Sequence, residues 1–415
     1  MERRVVVTGM GALTPIGNNL SDFWNSLKSG NCGIDKIAAF DVEKYKVKIA
    51  AELKNFDPEV YMDRRTAKRL DKFCQYALVA ADMAIEDSGI DISQVDVERF
   101  GVIIGSGIGG LETIEKQALV LEAKGPNSVS PLFIPMAIGN MASGNVSIKY
   151  GLKGFNSCSV TACASGTHSI GDAFRLIKNG HADYMLAGGA EAPITPLGLA
   201  GFINITALTQ NDDVTRASIP FDKNRNGFVM GEGAGILILE EFEMAKARGA
   251  RIYGEITGYG ATADAYHMTA PDPEGNGAKN SMLIALKEAG LEPSDIDYIN
   301  AHGTSTPLND LTETCAIKKA FGDSAYKVAI SSTKSMTGHL LGAAGAIEAI
   351  ACFMAIREGF APPTIGYQTA DSECDLDYIP NSGRVMNIDH ALSNSLGFGG
   401  HNGTLIFSKI KQEVN

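Results

Sequence analysis

The stretch NSCSVTACASGTHSIGDAF, Asn156 to Phe174, carries the residues best suited to covalent chemistry. Cys158 and Cys163 stand five positions apart, and Ala, Ser, Gly and Thr follow the second. Beyond it, Ile170, Ala173, Phe174 and Ile177 recur at helical spacing, Arg175 and Lys178 fill the last turn, and Gly180 stops it. Cys163 is therefore expected at or just before a helix N-terminus, where partial positive charge favours a thiolate and lowers the thiol pKa. Small neighbours leave room for a substrate and free backbone N–H groups for an oxyanion. Cys158 has no such setting and reads as a buried or turn cysteine. Cys158, Cys163 and His168 lack the paired spacing of structural zinc motifs, so no metal site is expected.

A cysteine nucleophile needs partners. Among seven histidines, two stand in unusual settings. His302, in NAHGTSTPLNDLTE, follows an expected strand at Tyr298–Ala301, and strand ends in open α/β sheets are where ligands collect. His339, in SSTKSMTGHLLGAAG, opens an expected apolar helix. That helix, in LLGAAGAIEAIACFMAIREG, resembles the one after Cys163: both start small and Gly-rich and end on a basic residue and a glycine. If the two regions pack about a pseudo-twofold axis, the starts bearing Cys163 and His339 could face one another.

The elements that would position these residues also repeat. ALVAADMAIEDSGIDISQVDVERFGVIIGSG (Ala77–Gly107) runs helix, glycine stop, acidic turn, strand, and SMLIALKEAGLEPSDIDYINAHGT (Ser281–Thr304) follows the same plan. Short apolar strands such as VVVTG, GVIIG and GILILE suit buried sheets covered by helices. The expectation is an α/β chain of two related halves, 1–250 and 251–415. At 415 residues the chain is long enough for both. Seven scattered cysteines argue against a disulfide framework, and a net charge of -12 argues against nucleic acid as partner. MERRVVVTGMG reads as a first strand and not a signal peptide. The most apolar segment, Leu340–Ile356, is short for a membrane span and is broken by Glu348. A cytoplasmic protein is expected.

Four segments in order, TACASGTHSI, NAHGTSTPLND, TKSMTGH and NSLGFGGHNGTLIF, resemble the β-ketoacyl-acyl carrier protein synthases of the thiolase superfamily. The likeness extends from VVVTGMGALTPIG to GTLIF and is strongest to the elongating type II synthases of bacterial fatty acid synthesis. It implies a thiolase-like duplicated fold with α-β-α-β-α layers. It implies that Cys163 takes an acyl chain from a carrier-protein thioester. His302 and His339 would then stabilise the enolate left when malonyl-acyl carrier protein loses CO2. Lys334 matches the family's active-site lysine, and Glu313, with Asp310 of the same motif, the supporting acids; a buried Lys334–Glu313 ion pair is expected. Thr304 and Thr306 match the threonines on the pantetheine arm. Phe398, beside Gly399, matches the gating phenylalanine, whose N–H with that of Cys163 would form the oxyanion hole. Ile108 and Phe202 match acyl-pocket positions. No cofactor is implied, because the phosphopantetheine arm arrives on the carrier protein; a homodimer is implied. His401, where many members carry Thr, and INITALT (Ile203–Thr209) depart from common family wording.

GSGIGG (Gly105–Gly110) fits GxGxxG, but the chain about twenty residues on is a loop rather than a strand ending in an acid, against a dinucleotide site. In DRRTAKRLDKF, helical spacing groups Arg64, Lys68 and Lys72, with Arg65 and Arg69 beside them. In an acidic chain such a patch suits an acidic carrier protein. Other readings are a polyketide-type ketosynthase, a thiolase-type degradative enzyme, and a non-catalytic chain-length-factor-like subunit. The last would lack Cys163, and a thiolase would be expected to carry a second cysteine near His339.

Overall fold

The computed structural model describes residues 3–410. Ten strands form one mixed sheet: β1 (Val5–Leu13), β2 (Phe100–Gly105), β3 (Asn156–Ser157), β4 (Tyr184–Glu191), β5 (Gly233–Glu241), β6 (Gly254–Ala263), β7 (Tyr298–Asn300), β8 (Ala329–Ser331), β9 (His390–Gly397) and β10 (His401–Ser408). Their order is β8-β7-β9-β10-β6-β1-β5-β4-β2-β3. Counted outward from the centre, β1-β5-β4-β2-β3 and β6-β10-β9-β7-β8 are the same path traced twice. Each has antiparallel pairing at its inner strands and parallel pairing at its outer ones. The halves are joined edge to edge by antiparallel pairing of Val5–Val7 with Gly254–Ile256.

Helices cover the strands in layers. On one outer side α1 (Lys72–Ser88) lies on β1 and β5, and on the other α3 (Asn276–Ala289) lies on β6 and β10, with α4 (Pro307–Phe321) against α3. Between the halves run α2 (Ser165–Lys178) and α5 (Ala344–Glu358), which touch each other and strands of both halves. The expected layering follows. The inner strands carry glycine where an outer helix crosses: a Cβ at Gly11 would strike the carbonyl of Ala80 in α1, and one at Gly260 the carbonyl of Ser281 in α3. Apart from Arg357 and Glu358, α5 is buried along its whole length, which explains its apolar sequence without a membrane. Among the described residues no helix is long and apolar enough to cross one.

Candidate active site

Cys163 sits in a tight turn, Ala162–Ala164, that runs directly into α2. Ala162 takes φ +52, a left-handed conformation that only a compact neighbourhood sustains. His302 follows β7, and its backbone N–H and that of Gly303 donate to Glu313 of α4, each at 2.8 Å. His339 is held by the other half: its N–H donates to Val229 O at 2.7 Å and its carbonyl accepts from Gly231 N at 2.8 Å. The Cys163 sulfur and a ring nitrogen of each histidine lie within 4.8 Å of one another, all buried. The two imidazoles meet edge to face, 5.3 Å between centroids at 85°. These donors also have the chemical types of a zinc site.

Burial, together with the nearby Lys334 charge, holds both imidazoles well below the ordinary histidine range, so each is neutral at pH 7 and offers one N–H. His302 Nδ1 and both ring nitrogens of His339 are buried without a partner among the described residues. Such groups are costly unless something else takes them up. The thiol differs from the expectation. Burial pushes Cys163 up to about 12, outweighing the downward pull of Lys334 and of the backbone N–H groups of Phe398 and Cys163 aimed at the sulfur, while Glu191 adds to the rise. The free site therefore holds a thiol.

The three residues line a cleft of about 420 Å³ with Phe202, Thr304, Thr306, Phe398, Phe228 and Asn402. The Thr304 and Thr306 hydroxyls are 2.9 Å apart. Phe202 packs edge-on to Phe228, which packs edge-on to His339, giving an apolar wall. Ile205, Thr206 and Ala207 of the unusual INITALT segment also line the cleft.

Other expected residues stand elsewhere. Ile108 is outside the cleft lining and 36% exposed, and its backbone N–H donates to Glu191 at 3.2 Å. Gly399 is exposed at φ +83, shaping the loop after Phe398 rather than its wall. Asp310 is buried but serves the loop that leads to β5, accepting from Phe221 N at 2.8 Å and lying 3.7 Å from Arg225. Lys334 and Glu313 are both buried, yet the lysine is paired with Glu348. The pairing is set by α5, which presents Glu348 to Lys334 while Glu313 is occupied by the His302 loop. Glu348 is the residue that sequence reasoning missed, and its signal was visible: one acid inside an apolar helix. His339 is not the counterpart of Cys163. The matching turn is Leu341–Ala343, with Leu341 at φ +48, so Gly342 stands opposite Cys163 in the repeat.

Arg64, Arg65, Lys68 and Arg69 are all exposed, but on a one-turn helix (Arg64–Ala67) and the bend after it, not on a continuous helix with Lys72. The bend after Ala67 and Asp71, the N-cap of α1, break the run. The Gly-rich loop after β2 donates Gly107 N–H and Ile108 N–H to Glu191, which leaves those groups engaged rather than open to a pyrophosphate. All seven cysteines are free thiols.

The family models described as Beta-ketoacyl synthase, N-terminal domain and Beta-ketoacyl synthase, C-terminal domain match residues 2–245 and 253–368. A 3-oxoacyl-[acyl-carrier-protein] synthase 2 of Synechocystis sp. is 56% identical over 411 residues, covering 99% of each chain. One of Staphylococcus aureus (strain COL) is 54% identical over 409 residues, again covering 99% of each. Among solved structures, a Beta-ketoacyl synthase from Burkholderia phymatum STM815 superposes at TM-score 0.92 with 35% identity, covering 99% of this chain and 100% of that one. A type II PKS acyl-carrier protein in complex with its ketosynthase, bound to the hexaketide, gives TM-score 0.92 and 38% identity at 99% and 100% coverage. In sequence from end to end, and in the fold that carries its buried cysteine and histidines, the chain belongs to the beta-ketoacyl synthase family.

Proposed function

We propose that the chain catalyses the decarboxylative Claisen condensation of fatty acid elongation, joining an acyl group held on Cys163 to malonyl-acyl carrier protein. The observation that carries the residue roles is the convergence of Cys163, His302 and His339 within 4.8 Å in one cleft. Relatives more than half identical over nearly the whole chain are named for this activity.

In the first half-reaction the Cys163 sulfur attacks the thioester carbonyl of acyl-acyl carrier protein. The developing oxyanion is met by the N–H groups of Cys163 and Phe398, and fixed donors act most strongly where charge develops. The carrier's pantetheine sulfur leaves and takes the thiol proton, giving acyl-Cys163 and a free carrier thiol. In the second half-reaction the C–CO2 bond of the malonyl thioester breaks and its electron pair passes into the enolate. Neutral His302 and His339 donate to that enolate oxygen. The carbanion attacks acyl-Cys163, the C–S bond breaks, and the departing sulfur is reprotonated from solvent. Products are β-ketoacyl-acyl carrier protein, CO2 and free enzyme. Splitting transfer from condensation replaces one hard step by two easier ones.

Lys334 acts from behind the cleft, its charge favouring neutral histidines. Thr304 and Thr306 receive the pantetheine arm. The exposed basic turn at Arg64–Arg69 receives the carrier protein. No bound cofactor or metal is needed, since the arm comes on the carrier, and a cytoplasmic setting suits the seven free thiols. A homodimer is supported by the sheet ending on β3, next to exposed Phe155, and by the exposed apolar side chains of Ile134, Ile138 and Ile148. The chain-length-factor-like reading is disfavoured by the presence of Cys163 and both histidines.

Intact mass after mixing with an acyl-acyl carrier protein tests the assignment. An acyl-sized increment in wild type and none in Cys163→Ala is expected. No increment in sound wild type would overturn it.

A further inference from the structure

The two N–H groups aimed at the Cys163 sulfur come from segments far apart in the chain, Cys163 itself and Phe398. An oxyanion hole needs them at a fixed separation. One side chain outside the cleft lining is bonded to both segments. His168, on α2, is buried. Its Nδ1 is 2.8 Å from Thr161 Oγ1, in the approach to the Cys163 turn. Its Nε2 is 3.2 Å from Asn402 O, just beyond the Phe398 loop. The directions of these bonds follow from chemistry. A carbonyl only accepts, so Nε2 carries the proton. Burial holds the imidazole below the ordinary histidine range, so it is neutral at pH 7 and Nδ1 accepts from the Thr161 hydroxyl. The ring is also seated with little freedom. A Cβ at Gly403 would stand 3.0 Å from Nε2, and Tyr259 and His401 meet the ring edge to face at 6.1 and 6.4 Å between centroids. One position earlier, Thr167 Oγ1 lies 2.7 Å from Ser395 Oγ. Consecutive residues of α2 thus hold β9 just before the Phe398 loop and β10 just after it. From Asn402 the contacts run on into the loop, since its Nδ2 donates to Gly400 O at 3.3 Å.

We propose that His168 is a positioning residue for the oxyanion hole: through Thr161 and Asn402 it sets the spacing between the Cys163 N–H and the Phe398 N–H. It acts through these neighbours and not on the substrate. Thr167 does a different job, because its hydroxyl meets only the strand before the loop. His168 joins the far side of the loop to the approach of the nucleophile turn. The reading rests on Cys163 as acyl acceptor, which the mass experiment on wild type decides separately.

The test compares two reactions of the same thiol in wild type, His168→Phe, Thr161→Val and the double variant. Acylation from an acyl-acyl carrier protein passes through an oxyanion. Alkylation by iodoacetamide displaces iodide at a saturated carbon and forms none. His168→Phe keeps an aromatic ring but loses both hydrogen bonds. In single turnovers at saturating carrier protein its acylation is expected to slow by about 100-fold. Its alkylation should change far less, and half-saturation by the carrier should stay at the wild-type value. Thr161→Val removes one of the bonds at nearly constant shape and is expected to slow acylation by about tenfold. The double variant should be no slower than His168→Phe, because Thr161 acts through the imidazole. Acylation and alkylation falling by the same factor would overturn the proposal, since a merely structural role damages the turn for both reactions. Wild-type acylation in folded His168→Phe, or additive losses in the double variant, would overturn it as well. Should His168→Phe fail to fold, Thr161→Val decides: slowed acylation with alkylation near wild type supports the proposal, and acylation at the wild-type rate overturns it.

Discussion

His339 illustrates how a neutral imidazole can be both useful and costly. Its pKa lies well below the ordinary 6.5 because burial and Lys334 disfavour its charged form. Below pH 6.5 the unfolded chain binds a proton there and the folded chain does not, so this residue's contribution to stability falls as pH falls. Above pH 6.5 it is fully present. Glu313 and Glu348, raised to about 7, act in the opposite sense, because the folded form binds their protons more tightly. A comparison of variants isolates the histidine. Urea unfolding at pH 7.0 and 5.5 should show wild type losing about 1 kcal/mol more than His339→Asn; equal losses would contradict a neutral buried imidazole. Cys163, His302 and His339 were legible because each sat in a distinctive local segment. The partner of Lys334 was not. Glu313 shares a motif with His302, yet Glu348 is nearer to Lys334 in the chain, and the packing of α5 brings it into contact with the lysine. A charge inside an apolar helix should have been read as a paired one, since removing one member of such a pair costs about 3–5 kcal/mol.

At the scale of elements, the site depends on strand ends meeting helix starts. Gly397 ends β9 directly behind the catalytic turn: an added Cβ would lie 2.7 Å from Thr161 O and 3.2 Å from Cys163 N. Gly397→Ala must therefore displace the very N–H that would hold the oxyanion. A kcat loss of about 100-fold or more is expected, with KM for carrier protein little changed and the far-ultraviolet spectrum intact. Steady-state kinetics check it; an unchanged kcat would mean that the oxyanion is held elsewhere. The helix after Cys163, the glycine stops and the strand before His302 could all be read from periodicity. The thiol's titration could not. A helix N-terminus lowers a thiol pKa, but the depth at which the turn is buried reverses the sign, and depth belongs to the fold rather than to the segment. The same holds for Ile108, whose loop is tied through its backbone N–H to a carboxylate 83 positions away.

Across the whole molecule, the repeat of helix, glycine stop, acidic turn and strand already announced two halves, and the strand order traces the same path in each. Their fusion into one ten-stranded sheet was hidden, because three paired residues at β1 and β6 carry no pattern of their own. Charge acts at this scale too. The chain carries a net -12, so an acidic carrier protein is repelled by the surface as a whole and needs a local exception. Arg64, Arg65, Lys68 and Arg69 provide one on an exposed turn, and Arg64 and Lys68 also border a groove of about 720 Å³. Because these side chains are exposed, their attraction is long-ranged and screened by salt. Arg65→Glu combined with Lys68→Glu should raise KM for acyl carrier protein by about tenfold or more at low ionic strength and leave kcat near wild type. The difference should shrink in 0.5 M salt, where the Debye length is only about 4 Å. A salt-independent rise in KM would point instead to a distorted turn, and an unchanged KM at low salt would move the docking surface elsewhere. The two outcomes separate because mutated exposed charge acts through the solvent, whereas a damaged turn acts through contact.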